Sequence, residues 1–182
     1  MQNNTFYPMR NERGINGLRD LISYINQFQP VNELIMVEIG SYIGESTVVF
    51  ADAFKQVISV DPYVDNYDPT DHACKQAPFE MVYKQFLFNT KSFHNITHIR
   101  KTSDQAIKHL AIESVDFVYI DGNHQYDFVK KDIESYFKII KPNGFLGGHD
   151  YPYKPVQDAI KDTISTVDQV FNDRSWIKRK VA

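Results

Sequence analysis

Two apolar segments of this chain each end in side chains that could do chemistry. The first segment is followed by Asp121 and His124, and the second by His149 and Asp150. Carboxylates and imidazoles bind divalent cations, and an imidazole can also accept a proton near neutral pH. If the two segments are neighbouring strands, which lie about 4.8 Å apart, their ends bring these four groups into one small volume. The spacing therefore predicts a metal-assisted active site.

The elements that must position these groups form a predicted strand–helix–strand unit. The strands are Val115–Ile120 and 145–148, and a turn at 141–144 precedes the second strand. Between them lies an amphipathic helix, whose apolar side contains Phe128, Val129, Ile133, Tyr136, Phe137 and Ile140. Such a crossover is right-handed and sets the two strands parallel. Both strands then end at the same edge, where open α/β sheets bind their ligands.

Strand and helix signals alternate along the rest of the chain. Further strands are predicted over 34–39, 57–61, 97–100, 167–171 and 176–181. Further helices are predicted over 16–28, 44–54, 79–93, 103–110 and 156–164. Ser103 or Asp104 is the predicted cap of the helix over 103–110. The alternation predicts a doubly wound α/β fold, with a seven-stranded, mostly parallel sheet, helices on both faces and an antiparallel last strand.

The composition is typical of a soluble globular protein, and the absence of targeting signals leads us to expect a cytoplasmic one. Of the 182 residues, 42% are hydrophobic and 24% are charged, and the net charge of −3 gives no broad attraction to nucleic acid. The single cysteine, Cys74, excludes an internal disulfide and a zinc site built on cysteines. The polar N-terminus lacks a signal-peptide core, and no apolar run approaches the roughly 20 residues of a membrane span. We therefore expect no membrane or nucleic-acid partner.

We expect one domain over 1–182, with a helical cap over 1–30 and a loop-and-helix insertion over 62–95. The first part of the insertion, 62–78, has no periodicity, and loops of that length are usually functional lids or disordered. The helix that follows carries more apolar residues than one buried face needs. Part of its surface is therefore predicted to contact a lid or a second copy of the chain in a homodimer.

A second group of residues surrounds the first predicted strand and suggests a cofactor. Glu38, Gly40 and Gly44 lie at the junction of that strand with the next helix, where glycines allow close approach of a ligand and the helix N-terminus favours an anion. Asp61 lies about 20 residues further on, at the end of the second strand, where such folds place an acid on ribose hydroxyls. The spacing is not that of the dinucleotide motif, and the glycines alone are compatible with an ordinary turn. Together with Asp61, they favour a nucleoside-containing cofactor.

Two blocks of sequence resemble known methyltransferases. The segment 37–46, VEIGSYIGES, resembles the first motif of class I S-adenosylmethionine-dependent methyltransferases, especially the catechol O-methyltransferase type. The segments 120–126, 141–144 and 147–151 are similar, in their order, to bacterial enzymes related to macrocin-type sugar O-methyltransferases. The resemblance covers about 34–150. It implies a Rossmann-like methyltransferase fold and an enzyme that methylates a small hydroxylated acceptor, a sugar or a phenol.

The resemblance also implies roles for individual residues. The methionine end of S-adenosylmethionine would be surrounded by Glu38, Gly40, Tyr42, Gly44 and Ser46. Asp61 would hold the ribose, with Ser103 and Asp104 beside the adenine. A divalent cation would be held by Asp121, His149 and Asp150, and Asp121 would also border the cofactor, while His124 would be the general base.

Three positions depart from the catechol-type pattern. His124 replaces a lysine base, the pair His149 and Asp150 replaces an acid–amide pair, and Asn123 replaces an aromatic residue near the adenine. Oxygen ligands favour Mg²⁺, whereas an imidazole among them shifts the preference towards ions such as Mn²⁺. We therefore expect Mg²⁺ or Mn²⁺.

Two other functions are compatible with the same pattern. A nicotinamide-dependent oxidoreductase could use the same type of sheet, and an inactive scaffold could bind the cofactor without turnover. At the level of single residues, Asp121 and Asp150 could instead cap helices, and His124 and His149 could be hydrogen-bonded core histidines.

Overall fold

Seven strands form one sheet in the computed structural model, which describes residues 9–69, 75 and 77–181. The strands are β1 (Ile35–Ile39), β2 (Gln56–Val60), β3 (Ile96–Ile99), β4 (Val115–Ile120), β5 (Ile140–Gly148), β6 (Gln169–Val170) and β7 (Trp176–Arg179). Their order is β3-β2-β1-β4-β5-β7-β6. Strands β1 to β5 pair in parallel, whereas β7 is antiparallel to both of its neighbours. The predicted fold class is confirmed.

Helices cover both faces of this sheet. They are α1 (Glu12–Asn26), α2 (Glu45–Ala53), α3 (Phe79–Thr90), α4 (Ser103–Ala106), α5 (Tyr126–Tyr136) and α6 (Lys154–Ile164). The sheet has one hydrophobic core on each face, and alternate residues of β4 point into the two cores. Phe117 and Tyr119 pack with α1 and α2, whereas Val118 and Ile120 pack with α5 and α6. All six residues of β4 are buried, which explains why this strand is a continuous apolar run rather than an alternating one.

Several helix boundaries differ from the prediction, and two of these differences have a local explanation. Helix α1 begins at Glu12 because the side chain of Asn11 accepts a hydrogen bond from the Gly14 amide. The helix predicted over 103–110 has α geometry only over Ser103–Ala106 and continues as a 3₁₀ turn. The predicted caps, Ser103 and Asp104, were wrong: Thr102 is the cap and forms a reciprocal capping box with Gln105.

The turn predicted at 141–144 is part of β5. This strand already begins at Ile140, and its register against β4 shifts between Val115 and Phe117. Asn143, at a φ of 66°, donates its backbone N–H to the carbonyl of Lys180 near the chain end. Pairing with that terminal segment keeps the Lys-Pro-Asn-Gly sequence within the sheet as an irregularity, although its residue types favour a turn.

Some predicted features lie outside the described residues. They include Cys74, residues 1–8 of the predicted helical cap and the middle of the loop 62–78. Across the described part of the chain, no helix is both long and apolar enough to cross a bilayer. The division into a domain over 1–182 with a cap and an insertion stays a prediction.

Candidate active site

The ends of β4 and β5 bring the four predicted catalytic groups together. Ile120 and Gly148 are register partners, so Asp121 and His149 leave neighbouring strands at the same level. Nε2 of His124 lies 3.2 Å from Oδ2 of Asp150 and 3.6 Å from Oδ1 of Asp121. Nδ1 of His149 lies 3.3 Å from Oδ2 of Asp150 and 3.9 Å from Oδ1 of Asp121.

The two carboxylates do not cap the helices that follow them. Helix α5 begins after Gln125 and α6 after Tyr153, and neither start has a side-chain cap. Asp121 instead pairs with Arg10, and Asp150 contacts the two histidines. The capping alternative is therefore wrong at both positions.

Arg10 is a member of this cluster that the sequence did not indicate. Its guanidinium pairs with Asp121, lies 3.4 Å from the hydroxyl of Tyr119 and 3.9 Å from Oδ2 of Asp173. The side chain is only 9% exposed. The backbone around it is held to α2, because Glu45 accepts hydrogen bonds from the N–H groups of Met9 and Arg10. No local pattern could reveal this pair, since Arg10 and Asp121 are 111 residues apart.

The electrostatics favour the ionised form of every group in the cluster. Burial alone raises the pKa of Asp121, but Arg10 and the histidines outweigh it and lower that pKa. Burial likewise opposes ionisation of Asp150, yet hydrogen bonds from His124 and His149 lower its pKa. For His124, burial is outweighed by Asp121 and Asp150, which raise the pKa of the imidazole to about 11. The pKa of His149 is raised for the same reason, against burial.

His149 is oriented by a backbone carbonyl. Its Nε2 donates to the carbonyl oxygen of Asp173 at 2.8 Å, which leaves Nδ1 facing the carboxylates. Metal-binding histidines are typically oriented in this way by a hydrogen bond from the second ring nitrogen. Ligand atoms of Asp121, His124 and Asp150 all lie within 4.8 Å of one another, a spacing that could hold an ion. His124 therefore joins the predicted ligand set of Asp121, His149 and Asp150 as a fourth candidate.

The loop between β1 and α2 lies directly on the end of β4. Gly40, Tyr42 and Gly44 all have positive φ angles, of 85°, 47° and 87°. A Cβ atom on Gly40 would lie 2.0 Å from the carbonyl oxygen of Asp121, so only glycine fits where the two segments cross. The sequence indicated close approach to a ligand, and the structure shows close approach of backbone to backbone at the same position.

Asp61 holds this loop from the end of β2. Its Oδ2 accepts hydrogen bonds from the backbone N–H groups of Ser41 and Tyr42 at 2.9 and 3.1 Å, and its Oδ1 accepts one from Tyr63 at 2.9 Å. Burial raises the pKa of Asp61 despite these bonds. A carboxylate offers about four acceptor positions, so Asp61 retains capacity for a ribose hydroxyl.

Two adjoining cavities open at this edge of the sheet. The larger, of about 550 Å³, is lined by most of the predicted methionine and metal residues: Gly40, Tyr42, Ser46, Asp121, His124, His149 and Asp150. The smaller, of about 80 Å³, is lined by residues predicted for the nucleoside, namely Asp61 and Ser103, together with Asn123, Tyr67 and Asp132. Gly40, Tyr42 and Asp121 border both cavities, so one ligand could extend from one into the other.

Three predicted cofactor residues line neither cavity. Glu38 is fully buried and accepts hydrogen bonds from the hydroxyls of Ser46 and Thr47 at the start of α2. Burial raises the pKa of Glu38 to about 7. Gly44 is the N-cap residue of α2, and Asp104 faces outward and pairs with Lys131. The proposed contacts of Glu38, Gly44 and Asp104 with the cofactor stay predictions.

Asp132 is a site residue that sequence reasoning missed. It is 5% exposed, borders the smaller cavity and contacts the side chain of Ser103. Burial raises the pKa of Asp132 to about 7. A signal was present, because Asp132 follows Val129 by three residues and precedes Tyr136 by four, which places an acid on the apolar side of α5.

Comparisons with known proteins agree with this geometry. Residues 37–151 match the profile of a family described as a methyltransferase domain. Because the match covers more than half of the chain, the chain belongs to this methyltransferase family. Its fold resembles that of the O-methyltransferase NovP (TM-score 0.70, 12% identity, 98% of this chain and 84% of that one). It also resembles an rRNA methylase from Streptococcus thermophilus (TM-score 0.65, 11% identity, 97% and 100%).

The curated proteins that match in sequence are longer than this chain, and each match covers only part of them. An uncharacterized protein of Acanthamoeba polyphaga mimivirus is 29% identical over 130 residues, which is 66% of this chain and 52% of the relative. One from Sinorhizobium fredii is 26% identical over 118 residues, or 63% of this chain and 13% of the relative. The chain thus spans about half or less of these relatives. Family and fold together define a class I S-adenosylmethionine-dependent methyltransferase domain.

Proposed function

We propose that this domain transfers the methyl group of S-adenosylmethionine to a hydroxyl oxygen of a small acceptor. One observation carries the proposal: Asp121, His124, His149 and Asp150 line the same cavity as the β1–α2 loop. That arrangement would place a proton acceptor and a cation site beside the methionine end of the cofactor. The adjoining small cavity, with Asp61 and Ser103, would take the nucleoside end.

The chemistry requires a base and control of charge. In the in-line displacement, the acceptor oxygen forms a bond to the methyl carbon while the carbon–sulfur bond breaks, and the oxygen loses its proton. We assign that proton to Nε2 of His124. In the free protein, Asp121 and Asp150 raise the pKa of this imidazole to about 11, so it is protonated at neutral pH. Positive charge bound beside the two carboxylates offsets their effect and makes the imidazole available as a base.

The donor set fits a divalent cation. Asp121, His149 and Asp150 would hold it, with His124 kept as the proton acceptor, and when bound it would act as a Lewis acid on the acceptor oxygen. Two carboxylates are compatible with Mg²⁺, whereas the imidazole of His149 favours Mn²⁺. The orientation of His149 by the carbonyl of Asp173 supports the assignment.

The cavity supports a small acceptor rather than a nucleic acid. A volume of about 550 Å³ lies within the range of small-molecule sites. The net charge of −3 offers no general attraction to phosphate backbones. The fold alone does not distinguish a small acceptor from a nucleic acid, since an O-methyltransferase and an rRNA methylase both share it at low identity.

The test is calorimetric titration with S-adenosylhomocysteine in EDTA, and then with Mn²⁺ or Mg²⁺. Mass spectrometry then follows methylation of catechols, sugars and sugar nucleotides. We expect cofactor-product binding and a methylated acceptor that depends on the added metal. Failure to bind S-adenosylhomocysteine would overturn the proposal, and binding of a nicotinamide dinucleotide instead would favour the oxidoreductase. Binding without any transfer would favour the inactive scaffold.

A further inference from the structure

We propose that Arg13 and Arg174 form an anion subsite at the mouth of the larger cavity, so that the acceptor carries a carboxylate or a phosphate beside its reacting hydroxyl. This inference rests on the proposed function, since it concerns the acceptor of that reaction. Both arginines line the cavity that contains the catalytic cluster. Both are exposed at its mouth.

Most acidic groups that line the cavity have a partner, whereas two of its arginines have no carboxylate partner among the described residues. Three of its acids already have partners: Asp121 and Asp173 lie beside Arg10, and Asp150 lies beside the two histidines. Glu45 accepts two backbone N–H groups. By contrast, among residues 9–69, 75 and 77–181, neither Arg13 nor Arg174 forms an ion pair with a carboxylate. Two exposed arginines that line the cavity are therefore not neutralised by a carboxylate of the described residues.

Arg13 is bound to the turn between β6 and β7, which also carries Arg174. The guanidinium of Arg13 donates from Nε to the carbonyl oxygen of Asn172 at 2.8 Å, and Nη2 donates to the same oxygen. Arg174 is two residues further along this turn. Because both bonds of Arg13 go to one neutral carbonyl, its charge is oriented without being neutralised.

This turn is held by several hydrogen bonds. Arg174 has a φ of 80°, a left-handed conformation that is unfavourable for a residue with a side chain. Its N–H donates to the carbonyl of Phe171 at 3.0 Å, and its own carbonyl accepts from the N–H of Tyr151 at 3.1 Å. Asp173, which is 6% exposed, accepts hydrogen bonds from the N–H and the hydroxyl of Ser175. The surroundings therefore impose the strained conformation that places Arg174 at the cavity.

The same turn connects the anion subsite to the reacting centre. The carbonyl of Asp173, one residue before Arg174, orients the ring of His149. An acceptor whose anionic group contacts Arg174 would thus lie against the turn that also binds His149, one of the candidate metal ligands. Guanidinium groups suit this task, because their planar fork matches the oxygens of carboxylates and phosphates.

Matched pairs of simple compounds test the inference. The protein, saturated with S-adenosylhomocysteine and Mn²⁺, is titrated with catechol and 3,4-dihydroxybenzoate, and with glucose and glucose 6-phosphate. We expect at least one charged member to bind about tenfold more tightly than its neutral partner, and this preference to weaken with added salt. The pair that shows the effect distinguishes a carboxylate from a phosphate.

Variants connect the preference to these residues. Arg174→Asn removes the charge while tolerating the positive φ, and Arg13→Gln removes the second guanidinium. Each is expected to reduce the preference, and the double variant to abolish it, with the affinity for neutral compounds unchanged. Arg19→Gln is the matched control, because Arg19 is an exposed arginine of α1 whose guanidinium contacts the side chain of Asn16.

Equal binding of charged and neutral compounds in the wild type would overturn the inference, as would a preference that persists in the double variant. Binding of S-adenosylhomocysteine and the melting temperature are measured for every variant. If S-adenosylhomocysteine does not bind, the proposed function fails, and the same pairs titrated into the free protein still decide whether the anion subsite exists.

Discussion

His124 carries the clearest chemical consequence at the scale of single residues. In catechol-type enzymes, which this chain resembles, the base at this position is a lysine, whose ordinary pKa is about 10.4. Asp121 and Asp150 raise the pKa of His124 to about 11, so the histidine has a lysine-like pKa in the free protein. If His124 is the base, as we propose, the histidine differs from that lysine more in shape than in protonation at neutral pH.

Replacement of this histidine should stop the chemistry and spare cofactor binding. We expect His124→Gln to reduce the rate of methyl transfer by roughly 10²–10⁴-fold, because the acceptor proton loses its acceptor. The affinity for S-adenosylhomocysteine, measured by calorimetry, should change little. His109→Gln, at an exposed histidine that contacts Lys101, is the control. A variant with full activity would exclude His124 as the base.

Replacement of one carboxylate should lower the pKa of His124. Asp150→Asn removes one of the two charges that favour the imidazolium, so the ring should titrate at a lower pH than the wild-type value of about 11. NMR of the histidine ring protons measures this change directly. Calorimetry should also show weaker Mn²⁺ binding in the variant. Asp158→Asn, at an acid that pairs with Lys154, is the control and should change neither quantity. If His124 titrates at the same pH in Asp150→Asn as in the wild type, Asp150 does not raise its pKa.

At the scale of elements, the crossing of the β1–α2 loop over the end of β4 positions both halves of the site. Gly40 allows this crossing, and Asp61 fixes the loop through three backbone hydrogen bonds. The candidate metal ligand Asp121 and the candidate cofactor loop are therefore parts of one junction. A change in this junction should affect stability and cofactor binding together.

Gly40→Ala tests this coupling. Its Cβ would lie 2.0 Å from the carbonyl oxygen of Asp121, and the residue would need a φ of 85°, so we expect a loss of about 3 kcal/mol or more in the free energy of unfolding. The affinity for S-adenosylhomocysteine should fall with it. Gly14→Ala in α1, where no positive φ is required and the nearest atom to a new Cβ, the Cβ of Arg10, lies 3.3 Å away, should cost much less. Urea denaturation compares the two variants, and equal stability of Gly40→Ala and the wild type would contradict a fixed crossing.

Helix α3 shows how an element can satisfy a prediction only in part. Phe79, Val82 and Phe86 are buried, whereas Leu87 and Phe88 are 46% and 61% exposed. The excess of apolar residues noted in the sequence is thus divided between a packed face and an exposed one. A homodimer or lid contact through the exposed face stays a prediction.

At the scale of the whole molecule, buried acids make stability depend on pH. Glu38 and Asp132 are both buried, and burial raises the pKa of each to about 7. Because these pKa values exceed those of the unfolded chain, the folded state binds protons more tightly. The resulting stabilisation is complete below the unfolded pKa of about 4 and is lost as the pH rises through about 7.

Glu38→Gln should reduce this dependence. The amide resembles the protonated acid and can still exchange hydrogen bonds with Ser46 and Thr47, so the variant should be more stable than the wild type at pH 8, by on the order of 1–3 kcal/mol, and nearly equal at pH 5. Thermal unfolding followed by circular dichroism at both values measures the difference. A variant whose melting temperature follows the wild type at every pH would show that Glu38 does not ionise over this range.

The sequence by itself determined the architecture and the edge at which the site lies. Apolar runs such as Val115–Ile120 alternate with amphipathic helices, and the right-handed crossover then makes the strands parallel. Residues that follow parallel neighbours must meet at one edge, which is why the residue order alone was enough to group Asp121, His124, His149 and Asp150. These conclusions rest on local periodicity and on general rules of chain connection.

Only the tertiary structure decided which distant groups complete the site and how they ionise. Arg10 reaches Asp121 across 111 residues, and Asp173 orients His149 from a turn between two short strands. Neither contact has a local pattern, because each depends on how separate elements pack. The pKa of about 11 for His124 likewise arises because carboxylates that follow two different strands outweigh the effect of burial, and burial and distance exist only once the chain is folded.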